Sequence, residues 1–294
     1  DNIYYELVHE LGMTYDDWEK TSAWLETIAM AVREKWNELN PERPIILSTD
    51  TGHLRGFPFN QGGGYPEPGS EMDWVFSCPY FDVLIDGNHH HTGNIKAWIQ
   101  KYKKPVVAQE SRDDSGQTWS YRYPEMRTHL RKYCWKMMMA KCQQVDIYAK
   151  PQITLLPVQE ISEPSNNFDP NGWNEFENDA ILLREFFDGI LDYGALEYKG
   201  YFWISTVGVN LVLSSDKEIL AYVSSPTGLE NMEFINNGAH VFLQDLPFPD
   251  GRYEASFFDP KSGPAGSRMI TIRKGETRFR TPIFTDDMAV HIIK

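Results

Sequence analysis

The strongest constraint on this chain is a change of rhythm near residue 198. Before it, five short apolar runs, Asp1–Glu10, Pro44–Asp50, Phe81–Asp86, Pro105–Glu110 and Val145–Ala149, alternate with segments whose apolar residues recur at helical spacing. Continuous apolar runs mark strands covered on both faces, and their alternation with helices marks βαβ units and a parallel sheet. The first helix is predicted from about Asp16 to Leu39. Thr14 and Asp17 make a capping-box start, Trp18, Leu25, Ile28, Ala29, Val32, Trp36 and Leu39 form a core stripe, and Asn40-Pro41 ends it. Further helices are predicted over Glu71–Cys78, Asn94–Tyr102, Pro124 to about Cys142, and Glu177–Leu191, the last with Ile181, Leu182, Phe186 and Ile190 inward. After residue 198 come short strands separated by turn signals such as Asp250-Gly251, Ser262-Gly263 and Lys274-Gly275. Residues 1–197 are therefore expected to form an α/β domain and residues 198–294 an all-β antiparallel sandwich.

The polar residues of the first domain fall at the ends of its strands: Glu10; Ser48 and Asp50; Asp86, Asn88 and His89; Glu110; and Tyr148. In a (β/α) barrel such ends share one mouth, where the chemistry sits. Two carboxylates across a mouth suit glycoside hydrolysis. One protonates the leaving oxygen and the other attacks the anomeric carbon, with retention when they stand about 5–5.5 Å apart. Their surroundings must differ, so that one stays protonated and the other ionised. Glu10 and Glu110 are the candidate pair. Glu6 shares the parity of Glu10 on its strand and is read as a structural carboxylate. Asp50, Asp86, Asn88 and His89 are candidate sugar contacts, and Trp119 and Tyr148 are candidate stacking groups. Adjacent residues point in different directions, so His89-His90-His91 is not expected to gather on a metal. No metal or cofactor is assigned, because neither a C-x-x-C pair nor a Gly-rich phosphate loop occurs.

Composition narrows the partners. The formal net charge of −14 argues against nucleic acid and anionic membranes, but leaves a neutral carbohydrate open. No apolar run approaches the roughly 18 residues that a membrane helix requires. Nine Trp and fifteen Tyr supply flat faces for sugars as well as core volume. Cys134 and Cys142 lie eight residues apart on one predicted helix, about 12 Å, too far for a disulfide. All three cysteines are read as free, buried thiols.

Tyr4-Tyr5-Glu6-Leu7-Val8-His9-Glu10 resembles the strand-four motif Y-E-L-x-N-E of the clan A glycoside hydrolases, and Val106-Val107-Ala108-Gln109-Glu110-Ser111 resembles their strand-seven motif. Phe257-Phe258-Asp259-Pro260-Lys261-Ser262-Gly263 is similar to the Y-D-P-R-T-G-like segment in the C-terminal domain of apiosidase-like and cellulase-like members. The resemblance implies a (β/α)8 TIM barrel, here only about strands four to eight, followed by a β-sandwich. It implies Glu10 as acid/base and Glu110 as nucleophile of a retaining enzyme acting on a poly- or oligosaccharide. His9 stands where the family has Asn, so it is the expected contact to the neighbouring sugar hydroxyl. Strands one to three are expected from a second polypeptide or a missing N-terminal segment, and the location is expected to be extracellular or periplasmic. The rival expectation is a catalytically degenerate barrel that binds glycans or serves assembly.

Overall fold

The structure, a computed structural model, describes residues 4–8, 17–49, 54, 66–86, 92–108, 127–142, 144–145, 170–198, 202–204, 209–224, 235–236 and 238–294. The first elements alternate as expected: β1 (Tyr4–Glu6), α1 (Trp18–Leu39), β2 (Ile46–Ser48), α2 (Glu71–Ser77), β3 (Leu84–Asp86), α3 (Thr92–Tyr102), β4 (Val106–Ala108), α4 (Arg127–Met139), β5 (Gln144–Val145) and α5 (Pro170–Asp188). A 3-10 turn, Tyr193–Ala195, leads into β6 (Glu197–Tyr198), β7 (Phe202–Ile204), β8 (Val209–Ser214), β9 (Glu218–Ser224) and β10 (Ile235–Asn236). The last strands are β11 (His240–Leu243), β12 (Gly251–Asp259), β13 (Gly263–Ile272), β14 (Thr277–Arg280), β15 (Phe284–Thr285) and β16 (Asp287–Ile293).

The residues pack as two compact units, Asp1–Thr118 with Ala140–Tyr148, and Trp119–Met139 with Ala149–Lys294. In the first unit β1 pairs parallel with β2, and β3, β4 and β5 pair parallel in that order. The two ladders are joined at the backbone, where Asp82 N–H donates to the Leu47 carbonyl at 2.8 Å. Short parallel strands in chain order are what βαβ connections produce. Helix α1 starts at Asp17, whose carboxylate accepts from Lys20 N–H at 3.2 Å; the cap is thus Asp17 itself. Of its predicted stripe, Leu25 and Ala29 are buried and Trp18, Ile28, Val32 and Trp36 half-buried, while Leu39 is 65% exposed.

The second unit is built on a six-stranded antiparallel sheet, ordered β13-β12-β16-β9-β8-β6. The strand parity separates its two faces. Ile219, Ala221 and Val223 of β9 and Met288, Val290 and Ile292 of β16 join a cluster that also holds Val241 and Leu243 of β11, Phe279 of β14 and Phe284 of β15. Leu220 and Tyr222 of β9 and Ala289 of β16 point the other way, into a cluster with Trp135 and Met139 of α4 and Phe186 of α5. All seven residues of β9 are buried in consequence. A three-stranded sheet, β14-β11-β7, therefore shares the first core, and two helices share the second. Each large apolar side chain buried this way contributes about 1.5–3 kcal/mol. Trp135 is the centre of the helical side: its ring stacks on Tyr222 at 5.7 Å and 9°, and meets Phe186 at 5.0 Å and Phe258 at 5.9 Å. On α5 the inward residues are Leu182, Leu183, Phe186 and Phe187, with Ile190 just beyond its end, whereas Ile181, predicted inward, is 52% exposed.

Candidate active site

The C-terminal ends of parallel strands are the place to build a site, and here side-chain hydroxyls fix two of them. Glu6 lies opposite Ser48 in the β1–β2 register, and Leu7 N–H continues the ladder to the Ser48 carbonyl at 2.9 Å. The Ser48 hydroxyl donates to the Tyr5 carbonyl at 3.5 Å and the Thr49 hydroxyl to the Val8 carbonyl at 3.3 Å. Both hydroxyl residues are buried, so their bonds replace lost water contacts. The backbone is therefore pinned at Val8, the residue before His9 and Glu10 in the sequence. Glu6 is half-buried beside this strand pair. At the other ladder, Asp86 is paired in register with Ala108, two residues before Glu110 in the sequence.

The opposite, N-terminal ends are held by ions. Arg33 donates to the Ile45 carbonyl, the Tyr80 carbonyl and the Asp82 carboxylate, and that carboxylate also accepts from Leu47 N–H at 2.8 Å. Lys104 donates to the carbonyls of Phe76 at 2.8 Å and Cys78 at 2.6 Å. Burial lowers its pKa, with Cys78 and Asp82 working against that. Burial also pushes the Cys78 thiol up, which makes it an inert thiol. At Asp73, burial works against ionisation, but bonds from Lys101 at 2.8 Å and Tyr102 at 2.6 Å hold the carboxyl below its ordinary value. Charged groups at the bottom of parallel strands serve stability, and these are anchors.

Of the nominated residues, Asp86 lies on a described strand. Glu10, Glu110, His9, Asp50, Asn88, His89, Trp119 and Tyr148 lie outside the described residues. Among the described residues, no group of three or more His, Cys, Asp or Glu is disposed to hold a metal ion. Cys78, Cys134 and Cys142 are all buried and unbridged, as expected.

Sequence reasoning did not find the buried ionic cluster of the second unit. Arg131 Nη2 stands 2.9 Å from Asp287 Oδ1 and 3.7 Å from Asp286 Oδ2, and Lys132 Nζ stands 3.7 Å from Asp286 Oδ1. The Tyr222 hydroxyl donates to Asp287 Oδ2 at 2.9 Å. Burial works against charge on Arg131, but the Asp287 carboxylate outweighs it and holds the guanidinium above its ordinary value. Burial keeps Tyr222 a neutral donor. The available signal was the acid pair Asp286-Asp287 heading an otherwise apolar strand. Arg131, the partner of Asp287, is 156 residues away along the chain, on α4.

No family model matches the sequence, and no curated protein matches it. Solved structures that match the chain at low identity include glycoside hydrolases. A glycoside hydrolase of family 5 from Bacteroides vulgatus is 10% identical, with a TM-score of 0.49, over 99% of this chain and 71% of its own. A family 30 subfamily 8 xylanase from Clostridium acetobutylicum is 8% identical, with a TM-score of 0.48, over 95% of this chain and 61% of its own. A further glycoside hydrolase is 10% identical, with a TM-score of 0.45, over 97% and 71%.

Proposed function

We propose that this chain is the C-terminal part of a glycoside hydrolase that cleaves O-glycosyl bonds of a poly- or oligosaccharide with retention. Glu10 is the acid/base and Glu110 the nucleophile; His9, Asp50, Asp86, Asn88, His89, Trp119 and Tyr148 contact sugar. The observation that carries this reading is the direction of two strands. β1 and β4 each run parallel to a neighbour, and each leads at its C-terminal end into the segment that holds one Glu of the resembling motifs. Barrel enzymes keep their catalytic groups at such ends. The parallel strands would form strands four to eight of a (β/α)8 barrel, and the later sheets its β-sandwich. Strands one to three come from a second polypeptide or a preceding segment. The location is extracellular or periplasmic.

In this mechanism Glu10 donates its proton to the leaving oxygen while Glu110 attacks the anomeric carbon. Water then breaks the glycosyl-enzyme bond, with Glu10 now taking the proton. A panel of oligosaccharides, assayed with the complete barrel, tests it. Glu10→Gln is expected to lower kcat by about 10²–10⁴-fold, and Glu110→Gln to abolish glycosyl-enzyme formation. Undiminished turnover by Glu110→Gln would remove that residue from the mechanism.

A further inference from the structure

A surface helix ordinarily carries charge on the side opposite its buried stripe. Helix α1 departs from this. Its buried residues are Leu25 and Ala29. Thr27 is two residues from each, about 200° around the axis, and so marks the middle of the outer side. The neighbours of Thr27 on that side are Ala23, Trp24, Met30 and Ala31, all exposed and none charged. Trp24 is 51% exposed and Met30 38%, so two large apolar groups stand in water, about one turn before and one turn after Thr27. Glu26 is exposed too, but about 100° away on the flank. Beyond the apolar patch charge returns, as exposed Glu19 and Lys20 at one end and exposed Glu34 and Lys35 at the other.

These residues are self-complementary about Thr27. When a second α1 lies antiparallel with its Thr27 against the first, residues equally far on either side of Thr27 meet. Trp24 then meets the copy's Met30, a favourable thioether–aromatic pair. Lys20 meets the copy's Glu34 and Glu19 meets the copy's Lys35, so all four charged residues at the two ends find the opposite sign. A parallel pair in the same register would set Lys20 on Lys20 and Glu34 on Glu34, which repel. Lys20 and Lys35 also pair along their own helix, with Asp17 at 2.9 Å and Glu38 at 2.7 Å. Both pairs are exposed, and such pairs exchange partners at little cost. We infer that the outer side of α1 docks a second copy of this chain, antiparallel about Thr27. The patch is far smaller than the roughly 800 Å² per partner of a stable interface, so the dimer is weak, with a Kd on the order of 0.1 mM. This surface is separate from the proposed catalytic strand ends and does not depend on that reaction.

Sedimentation velocity of the full chain, from about 10 μM to about 1 mM, tests the inference across that Kd. A monomer is expected to pass into a dimer and stop there, because a two-fold contact closes on itself. Trp24→Ser is expected to abolish the dimer. Lys20→Glu and Glu34→Lys are each expected to weaken it at least about fivefold. The double variant Lys20→Glu/Glu34→Lys is expected to restore it, since the pairs are then reversed rather than broken. All these positions are exposed, so the thermal midpoints should be kept, and the rescue separates a lost contact from a damaged fold. A monomer throughout would overturn the inference, as would growth beyond a dimer or a double variant weaker than either single one. Self-association that disappears once the rest of the proposed barrel is present would assign this surface to that segment and would also overturn it.

Discussion

The two units secure their strands in different ways. In the second, β9 lies inside a six-stranded sheet with apolar clusters on both faces, so hydrophobic packing and ladder bonds hold it along its whole length. In the first, the ladders that pair β1 to β2 and β3 to β4 are three residues long, and the ends of β2 and β3 depend on individual polar groups: Ser48 and Thr49 at one end, Arg33 and Asp82 at the other. Burial distributed over many residues tolerates no large hole. Point anchors can be removed one at a time. The contrast fits a division between a support and a surface that presents loops.

The largest effect expected from this contrast is at Trp135. Trp135→Ala removes the ring shared by Tyr222, Phe186 and Phe258 and is expected to cost about 3–5 kcal/mol, read as a fall in the urea midpoint. Next comes Asp82→Asn, which weakens the bonds to Arg33 and Leu47 N–H and is expected to cost about 1–3 kcal/mol. A cost at Asp82 equal to that at Trp135 would break the distinction between anchors and packing. Hydrogen exchange sharpens it, because Asp82→Asn should raise exchange at β2 and β3 while leaving β9 protected.

The smallest expected effect is a pH dependence inside the second unit. His291 Nε2 is 2.9 Å from Glu218 Oε2, and Glu218 also accepts from Leu191 and Asp192 N–H. Burial lowers the His291 pKa, and Glu218 opposes that. The folded value is below the ordinary His value of about 6.5, so the unfolded chain binds the proton more readily. The stabilisation is present above about pH 6.5 and is lost as pH falls toward the folded pKa. Stability measured across that window should rise with pH, and His291→Gln should flatten the slope. An unchanged slope would assign it to other groups.

Much of this architecture is legible in the residues. The apolar runs before residue 198 named the parallel strands, and the turn signals afterwards named most of the later ones. Misjudged spans have local causes. Ser262-Gly263 read as a turn, yet β13 begins at Gly263 and carries Gly263 and Gly266 at positive φ, with its register shifted opposite Ser256 and Phe258. Pro170 opens α5, seven residues before the predicted start at Glu177, because proline suits a first turn. Two-residue strands such as β10 and β15 have no periodicity to read. Of the proposed site, the sequence puts Glu10 four residues after the end of β1 and Glu110 two residues after the end of β4. The distance between them depends on contacts remote along the chain. The same limit hid the pairing of Arg131 with Asp287.

Helices α4 and α5 come before residue 198 and nevertheless cover the six-stranded sheet. The change of secondary structure and the change of packing partner therefore fall at different points along the chain. Ribosomal synthesis makes the lid of the second core before its floor: Trp135 and Phe186 leave the ribosome ahead of Leu220 and Tyr222, and must stay soluble until β8, β9 and β16 arrive. A chain shortened to residues 198–294 would carry the reverse defect, a sheet with an uncovered aromatic face. The later strands cannot be moved between proteins as a cassette unless α4 and α5 travel with them.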